Sequence, residues 1–249
     1  MSKNKFPIYV PSKGRPNSKT INKFYGKDDN LIIVLEPQDY KLYKANYPNA
    51  KFEVLPENDK GIVYVRNHIL ALNKSWYWML DDDIDNFYIR IGNRMKKVGS
   101  SILRRFEKEV TSSKNKSIAQ IALEYTQFAW SASNSHVING YCDVCVAIDA
   151  SKVIPKGIKY DDSLELKEDR DFTLQIITGG LKTLRTTKIA FSCPKNGAND
   201  GGLKDIYETK GFEENKSFKM IEKWGKEICQ MNYKNDGRPD VKINWRLFQ

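Results

Sequence analysis

Cysteine and histidine are scarce in this sequence. Four cysteines and two histidines occur among 249 residues, which is too few cysteines for the disulfide framework of a small secreted domain. Cys142 and Cys145 are the only close pair. They lie in an apolar segment typical of a strand, where residues three apart face opposite sides and cannot easily share a metal ion. We therefore expect buried free thiols.

Long apolar runs are missing as well. No stretch approaches the roughly 18 residues that a membrane span needs. The N-terminal residues lead directly into a strand-like segment, without the pattern of a signal peptide. These absences predict a cytoplasmic protein, in the host cytoplasm if it is viral, that has no membrane partner. The sequence does not determine the oligomeric state.

The charge of the chain is strongly unbalanced. The 41 Lys and Arg residues outnumber the 31 Asp and Glu residues, giving a formal net charge of +10 and a pI near 9.2. Such an excess suits a polyanionic partner such as nucleic acid, although a basic protein without a special ligand has the same composition. The hydrophobic content of 40% is sufficient for one substantial core.

The first half of the chain alternates short apolar runs with polar connections. Such runs predict buried strands, and the pattern after Gly61 predicts a helix. This order is typical of a parallel α/β sheet. The predicted strands are Ile8–Val10, Leu31–Leu35, Phe52–Leu55 and Trp76–Leu80.

The second half begins with a segment that breaks this rhythm. Apolar spacing there predicts helices over about 102–110 and, more clearly, over about 118–129, followed by a strand over 141–148. A helix over about 169–178 and a strand over 183–191 complete the sheet. We expect an α/β fold with a mixed, mainly parallel sheet flanked by helices. We expect one domain over residues 1–249, with a basic insertion at about 87–117 and a C-terminal extension at about 193–249.

Three consecutive acids follow the strand Trp76–Leu80. In a parallel sheet, Asp81, Asp82 and Asp83 then lie at the carboxyl edge, where such sheets bind ligands. Adjacent carboxylates repel one another, and a site that concentrates them commonly holds Mg²⁺ or Mn²⁺. The alternatives are a helix N-cap or a solvated acidic turn.

Two other segments carry polar residues that fit the same site. Arg66 and Asn67 lie on the helix upstream of the acids, within reach of a nucleotide, although an ordinary surface arginine is equally compatible with the pattern. Glu168, Asp169 and Asp171 open the later helix, where the helix dipole alone favours acids.

These motifs, taken together, resemble the GT-A glycosyltransferases. The shared features are a first strand ending in Pro11-Ser-Lys-Gly-Arg15, the Gly-x4-Arg-Asn helix, the aspartate triplet, and the Glu-Asp-x-Asp helix start. Within that group, the segments Ile8–Pro16 and Met79–Ile84 are most similar to the phage and DNA-modification glycosyltransferases associated with TET/JBP dioxygenases. The resemblance covers roughly residues 6–190 and implies a Rossmann-like GT-A domain.

The resemblance also implies a reaction and its residues. It implies transfer of a sugar from a UDP-sugar to the hydroxyl of a 5-hydroxymethylpyrimidine, foremost 5-hydroxymethylcytosine, in bacteriophage DNA. Asp83 would ligate Mn²⁺ or Mg²⁺, with Asp81 as a second ligand, although Asp83-Ile-Asp85 is an alternative register. Asp169 would be the general base, supported by Glu168 and Asp171. The nucleotide sugar would be bound by Pro11, Ser12, Lys13, Arg15, Glu36, Arg66, Asn67, Asp81 and Asp82.

Many GT-A enzymes also have a late histidine as a metal ligand, but both histidines here precede the predicted base. An acid or amide in the segment Asn196–Gly202, or water, would have to replace it. That segment could equally be a lid, because its glycines permit motion.

The predicted insertion is strongly basic. Residues 90–116 contain nine Lys and Arg residues against two acids, so we expect a phosphate-binding surface beside the site. The DNA contacts that we predict are Arg90, Arg94, Lys96, Lys97, Arg104 and Arg105.

Other functions fit parts of this pattern. A GT-A transferase could act on a saccharide, lipid or protein, in which case the basic insertion would be incidental. A nucleotidyltransferase would need a glycine-rich triphosphate loop, of which Ser12–Arg15 is a thin version. A basic DNA-binding module without enzyme activity would make the aspartates structural.

Overall fold

A computed structural model describes residues 5–112, 116–194, 209 and 211–249. Its centre is a sheet in which ten strands of the described residues take part, with helices on both faces. Apolar residues of α1, α2 and α4 pack on one face of the sheet, and those of α3, α6 and α7 pack on the other. These helices and strands are defined in chain order below.

The first half of the chain forms the parallel part of the sheet. Its elements are β1 (Ile8–Pro11), α1 (Lys19–Phe24), β2 (Leu31–Leu35), α2 (Tyr40–Asn46), β3 (Lys51–Val54), α3 (Gly61–Leu72) and β4 (Trp76–Leu80). Ile8 and Val10 of β1 belong to the core on one face, and Tyr9 belongs to the core on the other. A strand buried on both faces reads as a continuous apolar run, which is why these strands were predictable.

The second half extends the same sheet. Its elements are β5 (Asn86–Ile91), β6 (Arg94–Val98), α4 (Ile102–Ser112), β7 (Ile118–Tyr125), α5 (Thr126–Ala129), β8 (His136–Ile138), β9 (Cys145–Asp149), α6 (Ala150–Val153), α7 (Glu168–Thr178) and β10 (Lys182–Ser192). The strand order is β3-β2-β1-β4-β9-β7-β10-β5-β6, with β8 also paired to β10.

The strand directions define the fold class. The pairings orient β1–β4, β6, β7 and β10 in one direction and β5, β8 and β9 in the other. The sheet is therefore mixed and mainly parallel, which confirms the predicted fold class. The predicted insertion supplies β5 and β6, which continue the central sheet beyond β10.

The helix predicted over about 118–129 is wrong. Residues 118–125 form strand β7, and only Thr126–Ala129 are helical. Seven of the eight residues of β7 are buried, because the strand lies in the middle of the sheet with helices on both faces. Apolar residues then occur at helical as well as alternating positions, so their spacing does not distinguish the two structures.

The strand predicted over 141–148 begins later than expected. β9 starts at Cys145, because Val144 takes a left-handed conformation with φ of 52° and the Cys145 N–H donates to the Asp143 carbonyl at 2.5 Å. The four cysteines are free, and Cys142 and Cys145 are buried, as expected.

The C-terminal part packs against α7. It contains α8 (Phe212–Trp224) and a hairpin of β11 (Cys229–Tyr233) and β12 (Pro239–Ile243). Met220, Cys229 and Val241 share an apolar cluster with Leu164 and Leu174. In the described ranges, no helix combines the length and the apolar character that a membrane span requires.

Candidate active site

The candidate site lies at one edge of the sheet. Strands β1, β2 and β4 end there, and β9 begins there because it runs in the opposite direction. The Asp81 N–H donates to the Val144 carbonyl at 2.9 Å, which joins the acidic loop after β4 to the loop before β9. The predicted aspartate triplet therefore lies beside residues from both halves of the chain.

Asp82 points into the protein. Its Oδ2 accepts a hydrogen bond from Ser12 Oγ at 2.5 Å, and its Oδ1 accepts one from Arg15 Nη1 at 2.7 Å. The residue is only 6% exposed. Because its carboxylate is buried as well as engaged on both oxygens, Asp82 organises the loop after β1 and is not placed as a metal ligand.

The N-terminal region of α1 holds the backbone of the acidic loop. Ser18 Oγ donates to the Asp82 carbonyl at 2.6 Å, and Thr20 Oγ1 donates to the Asp81 carbonyl at 2.7 Å. Thr20 Oγ1 also accepts from the Ile84 N–H at 2.8 Å. These contacts fix the backbone that carries Asp81 and Asp83.

Further polar residues lie at the ends of β1 and β2. Pro11 ends β1. Lys13 Nζ lies 3.0 Å from Glu36 Oε2 and also contacts Asp59. Glu36 is buried and accepts a second hydrogen bond from Gln38 at 2.6 Å. Several residues that are predicted to bind the nucleotide sugar are therefore clustered here.

Arg66 connects the two acidic segments. Its Nη1 lies 3.2 Å from Glu168 Oε1, and its Nη2 lies 3.6 Å from Asp81 Oδ1. Arg66 Nε and Glu168 Oε2 are buried without a hydrogen-bond partner among the described residues. Arg66 is therefore located between the segment predicted to bind the nucleotide sugar and the segment predicted to contain the general base.

Asn67 has a structural role instead of the predicted contact with the nucleotide. Its Nδ2 donates to the Tyr160 carbonyl, and its Oδ1 accepts from the Tyr160 N–H, both at 2.9 Å. The side-chain amide thus both donates to and accepts from the backbone of Tyr160, so its two polar atoms are engaged within the protein.

Asp169 is half-buried at the start of α7. Its Oδ2 accepts from the Tyr141 hydroxyl at 2.5 Å, and its Oδ1 accepts from the Arg170 N–H at 2.7 Å. These two donors hold the carboxylate in one orientation.

Asp143 is a further acid of the site, which is not among the residues predicted from the sequence. Its Oδ2 accepts from the Tyr125 hydroxyl at 2.7 Å. An acid inside the apolar segment 141–148 was the available signal, since a carboxylate is rarely buried without a specific reason. The site therefore contains two tyrosine–carboxylate pairs, Tyr125–Asp143 and Tyr141–Asp169.

Burial dominates the electrostatics of the cleft. Desolvation raises the pKa of Asp81 to about 8, although 38% of its side-chain surface stays accessible to solvent. Burial likewise raises the pKa of Glu168 to about 7 and that of Asp143 to about 6. Arg66 opposes the first two increases, whereas neighbouring carboxylates, including Asp83 beside Asp81, add to them.

This donor set fits a hard divalent cation. No group of three or more His, Cys, Asp or Glu side chains in the described ranges is arranged to enclose a metal ion. Mg²⁺ commonly takes only one or two carboxylates and completes its shell with waters and substrate phosphates. The oxygen donors of Asp81 and Asp83, which repel each other, meet that requirement.

Asp171 corrects the predicted set of catalytic residues. It is fully buried, and its oxygens accept hydrogen bonds from Trp224 Nε1 at 2.8 Å and Gln175 Nε2 at 2.6 Å. Lys223 Nζ lies 2.8 Å from it. Asp171 therefore anchors α8 on α7 and does not face the cleft.

Arg104 corrects the predicted DNA contacts. Its guanidinium binds both oxygens of Asp28, at 2.7 and 2.8 Å, and also Glu107 at 2.5 Å. The hydrogen bonds fix α4 to the loop after α1, so this charge is used inside the protein.

The other predicted basic contacts lie at or near the surface. Arg94, Lys96, Lys97 and Arg105 are exposed. Arg90 donates to the carbonyls of Gly92 and Ala132, which ties the β5–β6 hairpin to the loop after α5. Burial, Lys97 and other nearby lysines lower the pKa of Lys23 in α1, which indicates that the basic surface continues from β6 to α1. The segment Asn196–Gly202 lies outside the described residues.

A family model matches most of the chain. Residues 6–202 match the family model described as TET-Associated Glycosyltransferase. A search of curated proteins found no match.

Solved structures are similar at the level of the fold. S. aureus TarS residues 1–349 matches with a TM-score of 0.54 and 13% identity over 88% of this chain and 66% of that one. The same protein in complex with UDP gives 0.52 and 14%, with the same coverage. The mannosyltransferase PcManGT from Pyrobaculum calidifontis, in complex with GDP-Man and Mn²⁺, gives 0.57 and 11% over 86% of this chain and 63% of that one. The chain thus spans slightly less than two thirds of these relatives.

Proposed function

The chain belongs to the TET-associated glycosyltransferase family and is a glycosyltransferase with a GT-A fold; from that premise, we propose that it transfers a sugar from a UDP-sugar to 5-hydroxymethylpyrimidine in DNA. We propose 5-hydroxymethylcytosine as the base and bacteriophage DNA as the context. The observation that carries the proposal is the position of the two acidic segments, with Arg66 between them. The exposed basic residues of the β5–β6 hairpin support DNA as the acceptor.

The donor side is proposed at the ends of β1, β2 and β4. Pro11 and Glu36 would border the uridine, while Ser12 and Arg15 are held in place by Asp82. Arg66 would contact a phosphate, since its Nε is buried without a partner among the described residues. The UDP bound to TarS and the GDP-Man bound to PcManGT support a nucleotide sugar as donor.

Asp81 and Asp83 would hold Mn²⁺ or Mg²⁺ together with the donor diphosphate. When bound, the cation would stabilise the negative charge that grows on the departing diphosphate. The Mn²⁺ in the PcManGT complex supports manganese as one suitable ion. Asp85 lies 2.6 Å from Lys19, whereas Asp81 lies 3.6 Å from Arg66, and the looser contact of Asp81 favours the Asp81–Asp83 register over the Asp83–Asp85 register.

Asp169 is the proposed general base. A hydroxymethyl group is a weak nucleophile at neutral pH, so a carboxylate that takes its proton would accelerate transfer by roughly a hundred- to ten-thousandfold. The hydroxymethyl oxygen forms the new bond to the anomeric carbon, the bond from that carbon to the diphosphate breaks, and the proton passes to Asp169. If Asp169 lies on the side of the anomeric carbon opposite the departing diphosphate, the transfer would invert the anomeric configuration.

DNA is the proposed acceptor because of the basic surface. Arg94, Lys96, Lys97 and Arg105 are exposed, and Lys97 is close enough to Lys23 to lower its pKa. Clustered cations bind phosphates and release counterions, largely without regard to base sequence. The surface would position the DNA, and the cleft would select the modified base.

Mass spectrometry of DNA nucleosides tests the proposal. The protein would be incubated with Mn²⁺, a panel of nucleotide sugars, and DNA containing 5-hydroxymethylcytosine or 5-hydroxymethyluracil, with unmodified DNA as the control. We expect a hexose or pentose increment on the hydroxymethylated nucleoside only. Donor hydrolysis that disappears in Asp83→Ala, without any increment on DNA, would instead establish a glycosyltransferase with another acceptor.

Replacing the proposed base gives a second test. Asp169→Asn is expected to lower transfer by roughly a hundred- to ten-thousandfold while donor affinity stays unchanged. Normal turnover by this variant would show that Asp169 is not the base.

A further inference from the structure

The C-terminal part of the chain contacts the tyrosine that orients Asp169. The indole of Trp245 stacks on the ring of Tyr141, with centroids 5.9 Å apart and planes at 22°. The guanidinium of Arg170 lies 5.5 Å from the centroid of the same ring. The hydroxyl of Tyr141 donates to Asp169 at 2.5 Å. Tyr141 therefore links Trp245 directly to the proposed base.

Arg170 is itself held by β12. Its Nη1 lies 2.7 Å from Asp240 Oδ1 and 2.6 Å from the Val241 carbonyl, and its Nη2 lies 3.2 Å from Asp240 Oδ2. Such a two-pronged arginine–carboxylate contact fixes geometry as well as charge. The residue that follows the base in sequence is thus positioned by the C-terminal hairpin.

A buried lysine adds a second connection. Lys167, which is 2% exposed, places its Nζ 2.9 Å from Asp240 and 3.0 Å from Glu213. Lys167 immediately precedes α7, whereas Glu213 and Asp240 belong to α8 and β12. Burying these charges costs free energy unless their geometry is well matched, so such contacts are more suited to fixing an arrangement than to adding stability.

The last residues of the chain are also anchored next to Tyr141 in sequence. Asn139 Nδ2 donates to the Phe248 carbonyl at 2.7 Å, and Asn139 lies only two residues before Tyr141. Trp245 is thereby held between this anchor and β12, over the ring that it contacts.

We infer that Trp245 and Arg170 are positioning residues, which hold the Tyr141 hydroxyl so that it directs the Asp169 carboxylate at the acceptor hydroxyl. The inference rests on the proposed role of Asp169 as the base. Residues 211–249 lie outside the range matched by the family model, so the C-terminal extension would add to this site a component beyond the matched region. Small misplacements of a reacting group are costly, since an error near 1 Å can lower the rate by about a hundredfold.

Steady-state kinetics of four variants test the inference. Trp245→Ala is expected to lower kcat by about tenfold with an unchanged KM for the UDP-sugar, because only the orientation of the base is affected. Trp245→Phe keeps an aromatic ring over Tyr141 and should recover most of the activity. Tyr141→Phe keeps the packing but removes the hydroxyl, and should match the loss in Trp245→Ala. Leu247→Ala, at a residue 56% exposed in the same segment, is the matched control and should behave as wild type.

The double variant gives the decisive comparison. If Trp245 acts through the Tyr141 hydroxyl, adding Trp245→Ala to Tyr141→Phe should cost less than about twofold more. The inference would be overturned if the kcat losses of the two single variants multiplied fully in the double variant. It would also be overturned if Trp245→Ala raised the KM for the donor or left kcat unchanged. Should wild type leave DNA unmodified, the proposed acceptor fails, and the same comparison is made on donor hydrolysis, where Asp169 would deprotonate water. Unaltered hydrolysis in Asp169→Asn would overturn the inference together with its base.

Discussion

At the scale of single residues, the three consecutive aspartates have different roles. Asp82 is buried and engaged by Ser12 and Arg15, whereas Asp81 and Asp83 are only half-buried. The chain turns at Asp82 and Asp83 directly after β4, and the loop after β1 holds Asp82 inward. The acidic cluster is therefore one buried structural carboxylate between two half-buried ones that we propose to hold the cation.

Asp83→Asn is expected to lower transfer by about a thousandfold, because the loss of a charged ligand removes several kcal/mol of transition-state stabilisation supplied by the cation. Asp85→Asn is the matched change, since Asp85 is paired with Lys19, and we expect it to leave kcat within about threefold of wild type. Rates measured at saturating donor over a range of Mn²⁺ concentrations would check both. A large loss in Asp85→Asn with little effect in Asp83→Asn would assign the metal to the alternative register.

Much of the candidate site could be predicted from the sequence at this scale. Asp81, Asp83, Glu168 and Asp169 occur in motifs whose positions after a strand or at a helix start could be read from periodicity. Asp143 could not be found in this way, because its proximity to the other acids depends on how β9 pairs with β4 and on the tight turn at Val144. The engagement of Asp171 and Arg104 within the protein also depends on partners distant in sequence.

At the scale of elements, strand β7 shows the limit of hydrophobic periodicity. Ile118, Ile121, Ala122 and Tyr125 occur at the spacing of a helical face, and the polar residues Gln120 and Glu124 complete that pattern. In the structure both polar residues are buried too, at 2% and 4% exposure. Only the position of β7 between β9 and β10 explains this, and strand order was not available from the sequence.

The β5–β6 hairpin carries a prediction about DNA. Lys96→Glu with Lys97→Glu should weaken binding to duplex DNA of any sequence. The same change should make the affinity less dependent on salt. The slope of log affinity against log salt concentration should fall by about one unit for each phosphate that the variant no longer neutralises. Affinity would be measured by fluorescence anisotropy at several salt concentrations.

Lys41→Glu with Lys219→Glu makes the same change in net charge at exposed lysines of α2 and α8, and is the matched control. Equal effects of the two pairs would mean that net charge alone, and not the hairpin, attracts DNA.

The packing of the C-terminal hairpin on α7 carries a prediction about stability. Asp240→Asn should lower the free energy of unfolding by about 3 kcal/mol, because it leaves the buried Lys167 and the partly buried Arg170 with less compensating charge. Chemical denaturation would measure this change. Asp236→Asn in the same hairpin, which removes a pair on the surface with Arg238, should have no measurable effect.

The same charge cluster predicts a dependence on pH. Burial of Asp240 opposes ionisation, but the charges of Arg170 and Lys167 outweigh it and hold the pKa of this carboxyl well below its ordinary value. The stabilising contribution is therefore present above the unfolded pKa near 4 and is lost as pH falls below it. We expect the stability difference between wild type and Asp240→Asn to shrink as pH falls from about 5 to about 2. A difference that stays constant would contradict the proposed charge pairing.

At the scale of the whole molecule, ligand and metal should stabilise the fold together. UDP with Mn²⁺ at about a hundred times the dissociation constant should add about 2.7 kcal/mol and raise Tm by roughly 5–10 °C. Thermal unfolding monitored by circular dichroism would show this, and a chelator should remove the part that depends on Mn²⁺. An equal rise in Tm with UDP alone, or an unchanged rise in Tm for Asp83→Asn, would contradict the assignment of the metal ligands.

The two outer strands of the sheet affect how separate molecules of this protein contact one another. Within the described part of the chain, β3 and β6 end the strand order, so each has a backbone edge that another copy of the protein could extend. On β6 that edge carries Arg94, Lys96 and Lys97, whose mutual repulsion between copies opposes edge-to-edge assembly. A polyanion that neutralises these charges also removes the repulsion. Clustering of the protein on long polyanions, visible as turbidity and reversed by salt, is therefore the expected consequence of placing the basic surface on an open strand.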